Sequence, residues 1–280
     1  MKIKAVIFDM DGVLIEAKDW HYEALNRSLN LFGYNISRYD HLVTYDGLPT
    51  RIKLEMLSME RGLPRALHKF INDMKQQYTL EIVYQKCKPT FYHEYALSKL
   101  KAEGYRLAVA SNSVRNSVVM MMEKSNLLPY LEFFLSNQDV HKPKPDPEIY
   151  QVAISRFKLD PQECLIVEDN PNGIKAAHDS GAHVYEVETV KDVNYQALKH
   201  AIRLAEATGG GITCEPRDSD GGRQQAVQRR RLKVQQKLHG DKPQAPVSAR
   251  VRFGHENQRA ESYLRCKQRG RAQVPHQQVA

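Results

Sequence analysis

The sequence predicts an α/β protein with a Rossmann-like, doubly wound parallel sheet, an inserted α-helical cap domain and a disordered C-terminal tail. Three observations carry this prediction. Short apolar runs alternate with helical patterns, polar residues follow several of these runs directly, and the charge balance changes abruptly near residue 206. Strands that alternate with helices form a parallel sheet covered on both faces. Such a sheet binds its ligands at the carboxyl ends of the strands.

The predicted core combines residues 1–15 and 88–205. Its apolar runs are predicted as strands at Lys4 to Phe8, Arg106 to Ala110, Phe133 to Leu135, Leu165 to Val167 and His183 to Val187. Apolar residues at helical spacing predict helices at His93 to Ala102, Val114 to Lys124, Glu148 to Phe157 and Gly173 to Asp179. Gly104 and Gly181 stand where two of these helices end.

Residues 16–87 carry no strand pattern and are predicted as the helical cap. Two helices are predicted here, one through Ala24, Leu25, Leu29 and Phe32 and one from Ile52 to Glu60. Turn-like links near Glu16 and at Lys88-Pro89 would hinge the cap over the core. Closure of such a cap expels water and completes a site.

Residues 206–280 differ in composition from the rest of the chain. They hold 15 Lys and Arg against 7 Asp and Glu, whereas residues 1–205 hold 26 of each class, so the tail carries the whole net charge of +8. Low hydrophobicity with excess charge predicts disorder. A basic tail could bind nucleic acid through its arginines, or it could simply be solvated. We therefore expect nucleic-acid binding, if any, through the tail only.

Cysteine usage and hydropathy exclude several classes of protein. The four cysteines are far apart and form no C-x-x-C pair, which favours reduced thiols over a disulfide framework or a zinc site. The first apolar run is too short for a signal peptide, and no stretch reaches the 18 or so apolar residues of a membrane span. We expect a soluble cytoplasmic protein without a membrane partner.

Two carboxylates, Asp9 and Asp11, follow the first predicted strand. Residues i and i+2 of an extended segment face the same way, so both can address one ligand. Gly12 then permits a sharp turn. Such a carboxylate can attack phosphorus while its neighbour transfers a proton. Because Asp-x-Asp-Gly also occurs in ordinary turns and calcium loops, these residues alone leave both interpretations open.

Two further segments offer groups that suit a phosphoryl oxygen. Ser111 and Asn112 follow a predicted strand with a hydroxyl and an amide, although on their own they are more typical of a cap on the next helix. In the proline-rich segment 141–150, Lys142 is the cation that we select, since a point charge on a flexible stem suits phosphate. A lysine in a loop can also be merely solvated.

Glu168 and Asp169 end the strand that begins near Cys164. Two adjacent carboxylates repel one another unless a cation lies between or beside them. Magnesium fits, because it takes hard oxygen ligands and binds through one or two carboxylates, waters and substrate phosphate. The alternative is a helix cap with a favourable charge.

Together these motifs resemble the haloacid dehalogenase superfamily of phosphotransferases over residues 1 to about 205. FDMDGVL, KPKPDPEIY and VEDNPNGIKAA are most similar to its β-phosphoglucomutase and phosphatase-like branch. The resemblance implies that Asp9 is nucleophile and Mg²⁺ ligand, and that Asp11 is acid/base and ligand through its carbonyl. Ser111 would then donate to the phosphoryl group, Lys142 would neutralise its charge, Asp169 would bind Mg²⁺ directly, and Glu168 would support the metal.

Substrate selection is expected in the cap. Candidate contacts are His21, Arg51 and Lys75, in addition to Asn112 of the core, because cationic or hydrogen-bonding groups can hold the leaving part of a phosphorylated substrate. Each of the three cap residues could instead be a solvated or packed side chain. Many relatives place an Asp-Ser pair where this chain has Glu16-Ala17-Lys18, which weakens any transfer of substrate identity.

The sequence therefore predicts a Mg²⁺-dependent phosphatase of a sugar phosphate or nucleoside monophosphate that acts through an aspartyl-phosphate. A phosphosugar mutase is the alternative enzyme. A further alternative is an inactive scaffold whose tail binds nucleic acid, but the intact motif carboxylates argue against it.

Overall fold

The core of the protein is a sheet of six parallel strands in the order β3-β2-β1-β4-β5-β6. The structure is a computed structural model, and it describes residues 2–45, 48–208 and 213–214. The strands are β1 Ala5–Phe8, β2 Arg106–Ala110, β3 Phe133–Leu135, β4 Cys164–Glu168, β5 His183–Glu186 and β6 Thr213–Cys214. The predicted fold class, a doubly wound parallel sheet with helices, is confirmed.

Strand β1 lies between β2 and β4, and the register brings their ends to one edge. Phe8 is paired with Val109 of β2 and with Val167 of β4. The chain moves outward from β1 to β3 and then returns to β4 on the other side of β1. Ligand sites form in the crevice at such a reversal, and the predicted motif residues follow these strands.

Helices account for most of the remaining chain. Their bounds are α1 Lys18–Asn30, α2 Arg38–Asp40, α3 Thr50–Arg61, α4 His68–Lys86, α5 Phe91–Ala102, α6 Arg115–Lys124, α7 Glu148–Phe157, α8 Pro171–Asp179 and α9 Tyr195–Thr208. A π-helical turn, His41–Tyr45, follows α2 directly. Helices α2, α4 and α9 were not predicted individually.

Two apolar layers cover the two faces of the sheet. Successive strand residues point to opposite faces, so Val6 and Phe8 of β1 belong to one layer while Ala5 and Ile7 belong to the other. Helices α5, α6 and α9 contribute to the first layer, and α7 and α8 contribute to the second. The rigid sheet thereby fixes the positions of the strand ends.

The described part of segment 16–87 is helical and has a core of its own. Its buried residues are Leu25, Leu29, Ile36, Tyr45, Leu54, Leu57, Leu63 and Ile71. Helix α4 joins this cluster to the main core, because Ile71 lies in the former and Val83 in the latter. Between these two ends, Asn72, Lys75 and Gln76 of α4 line the crevice.

The described structure continues past the boundary predicted at Ala205. Helix α9 continues to Thr208, the backbone N–H of Ile3 donates to Glu206 Oε1 at 3.1 Å, and β6 pairs with β5. The composition changes before the last strand because a short edge strand needs few apolar residues. The rest of the predicted tail lies outside the described residues, as does its predicted nucleic-acid binding.

Cys87 and Cys164 are buried free thiols. No helix in the described part of the chain is long and apolar enough to cross a membrane.

Candidate active site

Asp9 stands at the bottom of the crevice, directly after β1. Its backbone N–H donates to Val167 O of β4 at 2.9 Å, and the residue is 8% exposed. Burial raises the pKa of Asp9 well above its usual value, and the neighbouring carboxylates add to this effect against the attraction of Lys144. A further positive charge beside Asp9 would favour its ionised form.

Lys144, and not the predicted Lys142, is the lysine at this carboxylate. Lys144 Nζ lies 2.6 Å from Asp9 Oδ1 and 2.6 Å from Glu168 Oε1, and its side chain is 4% exposed. The Lys142 side chain is 73% exposed and faces Asp146 at 3.6 Å. The backbone bends at Lys142 and turns at Lys144, so the two side chains point in different directions.

Tyr150 of α7 completes the anchoring of Lys144. Its hydroxyl donates to Glu168 Oε1 at 2.7 Å and lies 2.7 Å from Lys144 Nζ. Burial raises the pKa of Tyr150 well above 10, so the phenol keeps its proton. The charges of Asp9 and Glu168 outweigh the effect of burial and raise the pKa of Lys144, which stays an ammonium.

Glu168 is held from a second side by backbone N–H groups. Its Oε2 accepts from Asp169 N at 3.0 Å and from Asn170 N at 3.3 Å. A Cβ on Gly173 would lie 1.8 Å from Glu168 Oε1, so only glycine fits at the start of α8. Both oxygens of the Glu168 carboxylate thus accept hydrogen bonds, so its side chain is fixed in place.

Oxygen atoms of Asp9, Glu168 and Asp169 lie within 4.8 Å of one another. Asp169 Oδ1 is buried and accepts no hydrogen bond from the described residues. Burial, with the charge of Glu168, raises the pKa of Asp169 to about 6. Three close carboxylates with an unused buried oxygen fit a hard divalent cation. The Asp11 side chain is not part of this cluster.

Asp11 instead faces two serines of the core and His21 of segment 16–87. Its Oδ2 lies 2.8 Å from Ser113 Oγ and 3.4 Å from Ser111 Oγ, and its Oδ1 lies 2.9 Å from His21 Nε2. Burial opposes ionisation, but the contacts with His21 and Ser113, with Lys75 nearby, outweigh it and lower the pKa of Asp11. Asp11 is thus an ionised, hydrogen-bonded carboxylate.

Asn112 holds the loop that carries Lys144. Its Oδ1 accepts from Lys144 N at 3.1 Å, and its Nδ2 donates to Lys144 O at 3.3 Å. The side chain that we predicted to bind substrate is therefore engaged by the backbone. Asn112 contributes to the crevice mainly by fixing where Lys144 lies.

Segment 16–87, predicted as the cap, lines the other side of the crevice. A cavity of about 620 Å³ lies between this segment and the core. From the segment it is lined by His21, Arg51, Lys53 and Lys75, and from the core by Asp9, Asp11, Ser111, Asn112, Ser113, Lys144 and Glu168. Lys75 Nζ lies 3.4 Å from His21 Nδ1. Burial lowers the pKa of Lys75 to about 8, and burial beside Lys75 lowers the pKa of His21. Arg51 is exposed at the cavity rim.

The sequence analysis did not select several polar residues that the structure places at the site, among them Lys18, Lys53, Ser113, Lys144 and Tyr150. Ser113 and Tyr150 lie within segments that the motifs already marked. Lys18 lies in the Glu16-Ala17-Lys18 segment that departs from the family pattern, and its Nζ is 2.7 Å from Asp169 Oδ2. The departure itself was the signal that could have identified Lys18.

The chain is similar to known proteins over most of its core. Residues 6–187 match the family model described as haloacid dehalogenase-like hydrolase. A phosphorylated carbohydrates phosphatase of Thermotoga maritima is 28% identical over 182 residues, which cover 64% of this chain and 82% of the relative. A pyrophosphatase of Bacillus velezensis is 27% identical over 189 residues, covering 64% and 81%. The solved structure of a β-phosphoglucomutase from Clostridium difficile superposes with a TM-score of 0.63 at 18% identity, covering 73% of this chain and 99% of that chain.

Proposed function

Because the chain belongs to the haloacid dehalogenase-like hydrolase family, we propose that it hydrolyses the phosphomonoester of a small metabolite with Asp9 as nucleophile. The substrate classes that we propose are sugar phosphates and nucleoside monophosphates. The observation that carries the proposal is the bridge from Lys144 to Asp9 and Glu168, beside Asp169, at the bottom of the cavity. This arrangement holds a carboxylate and a buried cation where a phosphoryl group enters.

In the first proposed step an Asp9 oxygen attacks phosphorus, and the bond from phosphorus to the leaving oxygen breaks. Asp11 donates a proton to that oxygen. The pKa of Asp11 is lowered in the structure, but a phosphate dianion beside it would raise that pKa and favour the acid form. The products of this step are the free alcohol and an aspartyl-phosphate on Asp9.

In the second proposed step water attacks phosphorus and releases Asp9 and inorganic phosphate. Asp11, now a carboxylate, accepts the proton of the water. Lys144 and the hydroxyl of Ser111 hold the phosphoryl oxygens in both steps, since catalysis of this kind depends on positioning and charge neutralisation. The exposed Lys142 has no part in it.

The carboxylates Asp9 and Asp169 would hold a Mg²⁺ ion, with Glu168 as support and Asp11 through its carbonyl. When bound, the ion supplies electrostatic stabilisation of the phosphoryl oxygens. His21, Arg51 and Lys75 would face the leaving part of the substrate from the cap. Segment 16–87 would act as the mobile cap over the core.

A phosphate-release screen tests the proposal. Sugar phosphates and nucleoside monophosphates are incubated with the full chain and Mg²⁺, and each reaction is repeated with excess chelator. We expect release from at least one class and its loss with chelator. Release that survives the chelator would contradict the metal dependence, and no release from any member would contradict the proposed function.

The alternative enzyme is a mutase that passes the phosphoryl group to a second sugar hydroxyl. The phosphatase relatives favour water as the acceptor, and so does the Gly47-Leu48-Pro49-Thr50-Arg51 segment, which is longer and stiffer than the Gly-x-Ser-Arg of the mutases. Incubation with a hexose 1-phosphate and its bisphosphate separates the two activities. Rapid formation of the 6-phosphate with little free phosphate would favour the mutase.

A further inference from the structure

A lysine of the cap reaches the carboxylate at which we propose the metal. Lys18 is the first residue of α1, and its Nζ lies 2.7 Å from Asp169 Oδ2. The Asp169 side chain is 1% exposed and that of Lys18 is 32% exposed. The Asp169 carboxylate is therefore shielded from water, whereas the Lys18 ammonium can move out into solvent.

Gly12 leaves the space in which the pair meets. A Cβ on Gly12 would lie 2.3 Å from Asp169 Oδ2 and 2.9 Å from Lys18 Cε. Its φ of +96° also disfavours any side chain. Lys18 and Asp169 thus pass over bare backbone, and a larger residue at position 12 would displace both of them.

The two lysines that pair with Asp9, Glu168 or Asp169 are held to different degrees. Lys144 contacts Asp9, Glu168 and Tyr150 and is sealed by them. Lys18 contacts the acidic cluster through Asp169 Oδ2 and keeps access to solvent. Of the two ammonium groups, Lys18 is the one that an entering cation can displace.

Charge balance makes this displacement favourable for the metal. Asp9, Glu168 and Asp169 carry three negative charges when ionised, and Lys144 and Lys18 carry two positive charges. With both lysines in place, binding of a divalent cation gives the cluster a net charge of +1. With Lys18 withdrawn, the same cation balances the cluster.

We propose that Lys18 competes with the divalent cation for Asp169 and thereby lowers the metal affinity of the site. Its ammonium occupies Oδ2 until the cation displaces it. The inference rests on the proposed metal-dependent function, and it assigns to Lys18 a role in positioning Asp169 rather than in the chemistry.

Calorimetric titration of the full chain with Mg²⁺, in the absence of substrate, tests this inference. Lys18→Met keeps the length of the stem and removes the charge, so its Kd for Mg²⁺ should fall roughly tenfold, which corresponds to about 1.4 kcal/mol. Lys18→Arg keeps the charge and should stay near wild type. The matched control is Lys175→Met, because Lys175 forms an exposed ion pair with Asp179 on α8, and its Kd should not change.

If the Kd of Lys18→Met for Mg²⁺ is unchanged or higher than that of wild type, the inference is overturned. Should that variant fail to fold, as judged by its melting curve, Lys18→Gln gives the same comparison. A third outcome separates the inference from the proposed function. In that outcome wild type binds Mg²⁺, Asp169→Asn does not, and Lys18→Met binds Mg²⁺ as wild type does. The inference then fails and the proposed function stands. A wild-type chain that binds no Mg²⁺ overturns both the inference and the proposed metal dependence.

Discussion

At the scale of single residues, Lys144 determines the charge balance of the site. It is the ammonium shared by Asp9 and Glu168, and Tyr150 fixes its position. Removing one member of a buried ion pair leaves an uncompensated charge, which costs about 3–5 kcal/mol. Lys144 therefore matters for stability as well as for turnover.

Substituting the two lysines of this loop separates their roles. Lys144→Met should lower kcat/KM for phosphate release by roughly a hundredfold or more, since it removes a preorganised charge from the phosphoryl site. It should also lower the melting temperature. Lys142→Met, the matched control, should remain within about twofold of wild type, because its side chain is 73% exposed. Equal losses in both variants would contradict the assignment.

The residues of the site that follow strands directly could be predicted from the sequence. Asp9, Ser111 and Asp169 follow parallel strands, so the fold brings them together wherever the loops run. The choice between Lys142 and Lys144 depends on the path of a loop, and that path is set by Asn112, a residue distant in sequence. Two lysines of the same type on either side of a proline carry no local signal for this choice.

At the scale of the elements, helix α4 connects the cap to the core. Its first half packs in the cap cluster through Ile71, and its second half packs in the main core through Val83. The two halves bury different partners, which explains why a single amphipathic stripe did not identify the helix in the sequence. Lys75 lies between them and faces His21.

Burial of Lys75 makes the stability of the protein depend on pH. Its pKa is about 8 in the folded chain against 10.5 normally, so between these values the unfolded chain binds the extra proton and stability rises with pH. From pH 7 to pH 10.5 the free energy of unfolding of wild type should therefore rise relative to that of Lys75→Met, because the methionine does not titrate. Urea melts at several pH values measure this shift.

Lys69→Met is the control for this experiment. Lys69 lies on the same helix, is 90% exposed and pairs with Asp73, so the pH trend seen for Lys75 should be absent. A flat difference for Lys75→Met would show that the ammonium is not destabilised by burial.

At the scale of the whole molecule, the order of the elements was the most predictable feature. Alternating apolar runs and helical patterns identified β1 to β5 within a residue or two, because buried parallel strands are apolar along their length. The family and the class of enzyme predicted from the motifs are also confirmed. Strand β6 was missed because two edge residues leave no periodic signal.

Truncation locates the end of the folded chain. A chain that ends at Cys214 should keep the melting temperature and turnover of the full chain. A chain that ends at Ala205 loses β6, the end of α9 and the bond from Ile3 to Glu206, and a loss of about 1–2 kcal/mol would lower its melting temperature by roughly 2–8 °C. Thermal melts of the two truncated chains, run beside the full chain, measure this. Identical melts would place the boundary at Ala205 after all.

The central claim, that Asp9 carries the reaction, is tested most directly by phosphate release from the best substrate of the screen. Asp9→Asn is nearly isosteric but a poor nucleophile. It should abolish turnover while the chain still melts cooperatively. Asp19→Asn, a substitution at an exposed carboxylate of α1, should retain wild-type turnover. Release of phosphate by Asp9→Asn at a rate close to that of Asp19→Asn would contradict the account.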